Sequence, residues 1–236
     1  MTDMFASRLP YQPPRNCGPD IIYCDESLLV VNKPAGLLSV AGRGTEKSDS
    51  LTARVQIEFP DALSVHRLDM NTSGLLLFAR GADMHRRLSR MFRERAVMKR
   101  YIAIVAGRVD AQSGAVDLPL AADWPNRPKQ KVDFPIGKPS LTRYRLLTNA
   151  RCPFQTSKHS GQDLCDASRI ELEPVTGRTH QLRVHMAAIG HPVLGDELYG
   201  GNSCKTASRL LLHACKLSFI HPSSAKLLTL ASEPAF

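Results

Sequence analysis

The chain has 236 residues, 31 Lys and Arg against 22 Asp and Glu, a net charge of +9 and 43% hydrophobic residues. That hydrophobic content excludes an intrinsically disordered protein, and the length suffices for a buried core without a disulfide or metal framework. The positive balance points to a polyanion, either nucleic acid or an acidic membrane surface, and by itself chooses neither.

Apolar runs such as Leu75–Ala79 fall far short of the roughly 18–20 residues that cross a bilayer. The opening MTDMFASRLPYQPP lacks the basic-then-apolar pattern of a secretory signal, so a cytoplasmic protein is expected. Cys17, Cys24, Cys152, Cys165, Cys204 and Cys215 form no C-x-x-C pair; free thiols are expected and a zinc site is not.

Residues 1–19 carry Pro10, Pro13, Pro14 and Pro19 and read as an extended arm; 20–236 reads as one domain. Ile21–Cys24 and Leu28–Asn32 flank Asp25-Glu26-Ser27, the pattern of a hairpin. Leu51, Val55 and Phe59 recur every fourth position before Pro60, predicting a helix. The loop VHRLDMNTSG then leads into LLLFAR, short enough for a buried strand. Residues 82–95 place Met84, Leu88, Met91 and Phe92 on one helical face and arginines on the others, predicting a basic amphipathic helix.

Further strands are expected at Tyr101–Val105, Thr142–Leu147, Arg169–Glu173 and Leu210–Phe219, and a helix from Thr179 to Ile189. The segment 123–138, with three prolines among basic residues, reads as an ordered connection without a regular element. Residues 149–167 read as a loop. The class is α/β, of the mixed α+β kind.

Two motifs carry chemistry. HRLDMNTSG (66–74) sets a carboxylate, Asp69, beside a guanidinium, with small residues and a glycine that permits close approach. Such a loop can hold a nucleophilic carboxylate kept ionised by a nearby cation; the plain alternative is an Asp capping a turn. In TGRTHQLRVH (176–185) Gly177 lets the chain turn into a helix with Arg178, Leu182 and His185 on one face. His180 and His185 are five apart, not the i, i+4 spacing of helical zinc hydrolases, so no metal is expected. One Arg can pair with Asp69; the alternative is a structural surface helix.

HRLDMNTSG, MKRYIAIVAG and GRTHQLRVHMAAIGHPVLGD together resemble the signature segments of the RluA family of RNA pseudouridine synthases, in the family's order. The early NKPAGLLSV and the linker DWPNRPKQKV add to the likeness, which spans 20 to the C-terminus. It implies a central, mainly antiparallel sheet with flanking helices, an RNA-binding cleft, no cofactor and a monomer. It also implies Asp69 as catalytic carboxylate, Tyr101 as the residue stacking on the target base and Arg183 as the partner of Asp69. Leu182 then packs under the base, and Arg67 enters the stack vacated by the flipped nucleotide. No S4-like RNA-binding domain is expected before Ile21, and His66, Arg178, Lys129, Lys131 and the basic helix are then candidate RNA contacts. A solvated Arg-rich face is the alternative for that helix.

The implied reaction converts uridine to pseudouridine in RNA hairpin loops, with a tRNA anticodon stem-loop and a 23S ribosomal RNA hairpin as expected partners. Extruding a base costs least in a loop. Three other readings stand beside it: a relative specific for another uridine, a catalytically silent RNA-binding protein, and a glycosidase, which needs a second carboxylate near Asp69.

Overall fold

The computed structural model describes residues 11–152, 165–201 and 207–236. Its strands are β1 (Ile21–Cys24), β2 (Leu28–Lys33), β3 (Ala62–Ser64), β4 (Ser73–Arg80), β5 (Met98–Ala106), β6 (Ser113–Asp117), β7 (Leu120–Ala122), β8 (Gln130–Val132), β9 (Leu141–Cys152), β10 (Cys165–Pro174), β11 (Leu212–Ile220) and β12 (Leu227–Ala231). The helices are α1 (Leu51–Glu58), α2 (Ala82–Arg93) and α3 (Gln181–Ala188).

The main sheet runs β1-β2-β4-β11-β5-β10-β9-β6, with β12 on β11 and β3 on β4, and it is antiparallel except for the β4–β11 pair. The expected mixed α+β class with a mainly antiparallel sheet is therefore what the chain forms. Strand alternation explains the unbroken apolar runs in β2 and β4. Leu28, Val30, Leu75 and Leu77 pack with Met84 and Leu88 of α2, whereas Leu29, Val31, Leu76 and Phe78 pack with Leu51 and Val55 of α1. Adjacent residues point to opposite faces, so these two strands are buried on both sides. α3 covers the other half of the sheet, with Leu182 and Met186 against Ala103, Ile170 and Leu172.

α1 ends before Pro60 as expected, at Glu58 with Phe59 as its C-cap, and its start is capped by the Ser50 side chain, which accepts from the Ala53 amide at 3.2 Å. Ahead of it, the Tyr11 hydroxyl donates to the Asp49 carbonyl, and the Pro14 carbonyl accepts from Arg54.

Three expectations about the elements need correction. Residues 123–138 contain β8, which pairs with β7 as a separate two-stranded sheet; short strands among prolines leave no periodicity to read. The expected loop 149–167 is invaded by β9, which continues to Cys152, and by β10, which starts at Cys165; its middle lies outside the described residues. Arg178 precedes α3 and shares no helical face with Leu182 and His185. Strands β3, β6, β7 and β12 carried no sequence signal. Among the described residues Cys17, Cys24 and Cys215 are free, and no helix is long and apolar enough to cross a membrane.

One row across the sheet sets Tyr101 level with the loop before β4. Lys33, Gly74, Ala214, Tyr101 and Leu172 are successive register partners on β2, β4, β11, β5 and β10. Gly74 has φ +113°, and a Cβ there would sit 2.3 Å from the Ala214 carbonyl oxygen and 2.5 Å from its nitrogen. The parallel β4–β11 contact thus admits glycine alone. Gly74→Ala is expected to cost about 3 kcal/mol, from positive φ plus overlap with main-chain atoms that cannot move aside. Chemical denaturation against wild type measures it.

Candidate active site

A cavity of about 560 Å³ opens where the loop before β4, strand β5 and the start of α3 meet. Asp69, Tyr101 and Arg183 line it, as do Arg67, Leu182, His66 and Arg178. Residues spread over more than a hundred positions of sequence thus share one cleft. Lys129 and Lys131 do not reach it: they flank Gln130 on β8 and beside it, and Lys131 pairs with Asp133 at 2.9 Å.

Arg183 organises the site. Its Nη1 donates to Asp69 Oδ2 at 3.0 Å, while Nε and Nη2 donate to the two oxygens of Asp196 at 2.7 and 2.8 Å. The guanidinium is buried and the Asp196 carboxylate fully so; burial works against the cation, and the two carboxylates more than restore it, raising the Arg183 pKa. Asp196 is held in turn by the Leu198 and Tyr199 amides. The contacts of the Asp69 carboxylate are thus to Arg183 rather than to a turn amide, which decides against the turn-cap alternative. Asp196 was missed in the sequence; the turn GDELYG shows a polar cluster, but nothing along the chain shows whom it faces.

His180 is one of the strained residues of the site. It sits at the α3 N-cap with φ +54° and no side-chain cap bond. Gly177, by contrast, has no neighbour within 4 Å of an added Cβ and no positive φ, so the expected glycine turn is made by a histidine instead. A left-handed non-glycine residue costs about 1–2 kcal/mol, and such strain concentrates at functional sites. In return the imidazole Nε2 lies 3.8 Å from Asp69 Oδ2 and Nδ1 lies 2.7 Å from the Tyr199 hydroxyl. That hydroxyl accepts the Gln130 amide at 2.8 Å, leaving the phenol proton for Nδ1. Burial lowers the His180 pKa against the opposing pull of Asp69, so the ring is neutral. His185 points elsewhere, to Thr142 and the Leu118 carbonyl, and does not line the cavity with His180. Among the described residues no group of His, Cys, Asp or Glu is placed to hold a metal.

Tyr101 packs against both α1-side and α3-side clusters while lining the cavity. Burial and the nearby Asp69 charge raise its pKa, so the group is a neutral phenol at pH 7. Behind the loop, the wholly buried Lys33 donates to the Pro34, Leu37 and Met70 carbonyls at 2.8, 2.7 and 2.9 Å. Burial depresses this ammonium to about 7, opposed by Asp69. Its three donors tie the residue after Asp69 to the turn following β2.

The rim is cationic: Arg67, Arg93, Arg95, Lys99 and Arg178 line the cavity beside Arg183. Of the basic helix, Arg93 faces the cleft while Arg86, Arg87 and Arg90 do not line it, so the helix is part rim and part solvated face. Arg95 occupies the left-handed position after α2 (φ 60°), with the Arg95 and Ala96 amides bonded to the Phe92 and Met91 carbonyls. Glycine is usual at that cap, and the arginine brings a guanidinium to the cleft instead.

His66 lines the cavity, yet its chemistry differs from that of a charged RNA contact. Its Nε2 accepts the Leu77 amide at 3.0 Å, which fixes a neutral ring stacked on Phe92 at 4.6 Å. Burial and then Lys99 push its pKa down to about 3. Because the folded value lies below the ordinary 6.5, the unfolded chain binds more protons between pH 3 and 6.5. This contribution to stability is complete above pH 6.5 and lost as pH falls through that window. The His66 ring is expected to show no NMR titration above pH 5. His66→Gln should flatten the loss of stability between pH 7 and 5.5 by about 1 kcal/mol in denaturant titrations.

Comparison with known proteins places this geometry. The family model described as RNA pseudouridylate synthase matches residues 27–188. Dual-specificity RNA pseudouridine synthase RluA of Escherichia coli K12 is 45% identical over 227 residues, covering 96% of this chain and 98% of that protein. The protein of that name from Vibrio parahaemolyticus is 48% identical over 217 residues, covering 92% and 83%. Among solved structures, human RNA Pseudouridylate Synthase Domain Containing 1 superposes with a TM-score of 0.75 at 28% identity, covering 95% of this chain and 87% of that one. Human RNA Pseudouridylate Synthase Domain Containing 4 gives 0.69 at 25%, covering 91% and 88%. The chain belongs to the RNA pseudouridylate synthase family and, within it, to the RluA group, isomerases that convert uridine in RNA to pseudouridine.

Proposed function

We propose that this enzyme modifies a uridine in the tRNA anticodon stem-loop and one in a 23S ribosomal RNA hairpin, with Asp69 as its catalytic carboxylate. The observation that carries the site assignment is the 3.0 Å contact from Arg183 to Asp69 at the floor of a cation-lined cavity. A double specificity is supported by the enzyme's relatives, which are dual-specificity RNA pseudouridine synthases of the RluA group.

In the isomerisation the N1–C1′ bond breaks, C5 joins C1′, C5 loses a proton and N1 gains one; no atom is gained or lost overall. A paired uracil cannot be reached, so the base is extruded into the cavity, with least cost from a loop. Tyr101 and Leu182 offer the faces between which it lies. Arg67, exposed at the cleft mouth, has the flat guanidinium that stacks in the vacated position while touching phosphate. Arg178, Lys129 and Lys131 contact phosphates farther along. Arg183 holds the Asp69 carboxylate in place against desolvation once the base closes the cavity, and Asp196 holds Arg183. The protein is proposed to work as a monomer without a cofactor.

Asp69→Asn is isosteric and removes the reactive oxygen anion. Pseudouridine formation in the two hairpins is expected to fall by at least about a thousandfold with RNA affinity within a few-fold of wild type. Chemical mapping of pseudouridine checks turnover, and filter binding checks affinity. Retained activity overturns the assignment, and binding without product in the wild type favours the silent RNA-binding reading. Arg183→Lys keeps the charge but not the fork that reaches both carboxylates, so kcat is expected to drop by about ten- to a hundredfold with KM little changed.

A further inference from the structure

The β7–β8 sheet and the chain running on to Lys138 form an arm off the main sheet. Three large apolar side chains stand exposed on it: Trp124 at 67%, Phe134 at 73% and Ile136 at 75%. An indole with that exposure is costly unless something covers it. Arg127 already lies on one face of the indole, its guanidinium carbon 3.3 Å from the ring centroid. Lys129, Lys131 and Lys138 follow on the same arm.

The arm is fixed against the cleft. The Gln130 amide donates to the Tyr199 hydroxyl, the next link to His180 and Asp69, and Arg178 Nε donates to the Pro139 carbonyl at 3.4 Å. Whatever the arm binds is therefore held beside the reacting nucleotide.

We propose that the arm is a second RNA-binding site, on which an unpaired base neighbouring the target uridine stacks against the open face of Trp124. The occupant follows from the chemistry of the patch. A guanidinium–indole stack extended by lysines matches a base followed by phosphates, whereas a duplex presents no free base face. This inference rests on the pseudouridine synthase reading and deepens it by naming a contact that selects unpaired loop nucleotides.

The test uses a synthetic anticodon stem-loop hairpin and a set of copies in which each loop nucleotide beside the target is made abasic in turn. Binding is measured with the full chain carrying Asp69→Asn, with and without Trp124→Ala or Trp124→Phe; turnover is measured on the chains without Asp69→Asn. Trp124→Ala is expected to raise Kd and KM roughly tenfold, leave kcat within twofold and melt as wild type does, with Trp124→Phe losing less. One abasic position is expected to weaken wild-type binding and leave Trp124→Ala unaffected, which identifies the stacked base. Unchanged binding by Trp124→Ala overturns the proposal. So does a loss confined to kcat, which assigns the arm to positioning Tyr199 alone. Concentration-dependent self-association of wild type, abolished by Trp124→Ala with RNA binding intact, also overturns it by making the patch an interface between copies. If wild type forms no pseudouridine in any hairpin the functional reading fails, while the binding ratio still judges the arm.

Discussion

The site depends on one buried guanidinium. Arg183 is withdrawn from water, and a cation so placed is tolerated only with its donors matched. Asp196 takes two of them in a bidentate pair, which fixes the plane of the fork and leaves Nη1 directed at Asp69. The loop before β4, the first turn of α3 and the turn after Leu194 therefore have to meet at one point. Removing either carboxylate leaves buried guanidinium N–H groups without an acceptor, Nη1 in the case of Asp69 and Nε and Nη2 in the case of Asp196.

Around that centre the titratable groups are arranged so that charge faces the opening. Tyr101 is kept as a neutral phenol, and His66 and His180 as neutral imidazoles. The Lys33 ammonium is saturated by carbonyls behind the loop, where it anchors rather than contacts a ligand. The cations facing the cavity, from Arg67 to Arg178, give the field that draws a phosphate backbone toward the cleft.

Backbone strain marks the same region. His180 and Arg95 take left-handed conformations usual for glycine, and each thereby delivers its side chain to the cavity. Gly74 is the complementary case, a residue whose missing side chain lets β4 and β11 run close enough to set Tyr101 in line with the loop.

The sequence by itself determined the class of fold, the main helices and strands, and two polar motifs. It could do so because apolar periodicity and the Pro60 stop after α1 are local. Family likeness then singled out Asp69, Tyr101 and Arg183, a selection that periodicity alone did not make. Tertiary structure decided what depends on partners distant along the chain. Asp196 became the second anchor of Arg183, and His66 a neutral structural ring. Arg178 fell outside α3, His185 turned away from the cleft, and β7 and β8 arose in a segment that reads as irregular. Each of these is a contact across the sheet or between loops, where the deciding quantity is burial and the identity of the facing group, and neither is encoded by spacing.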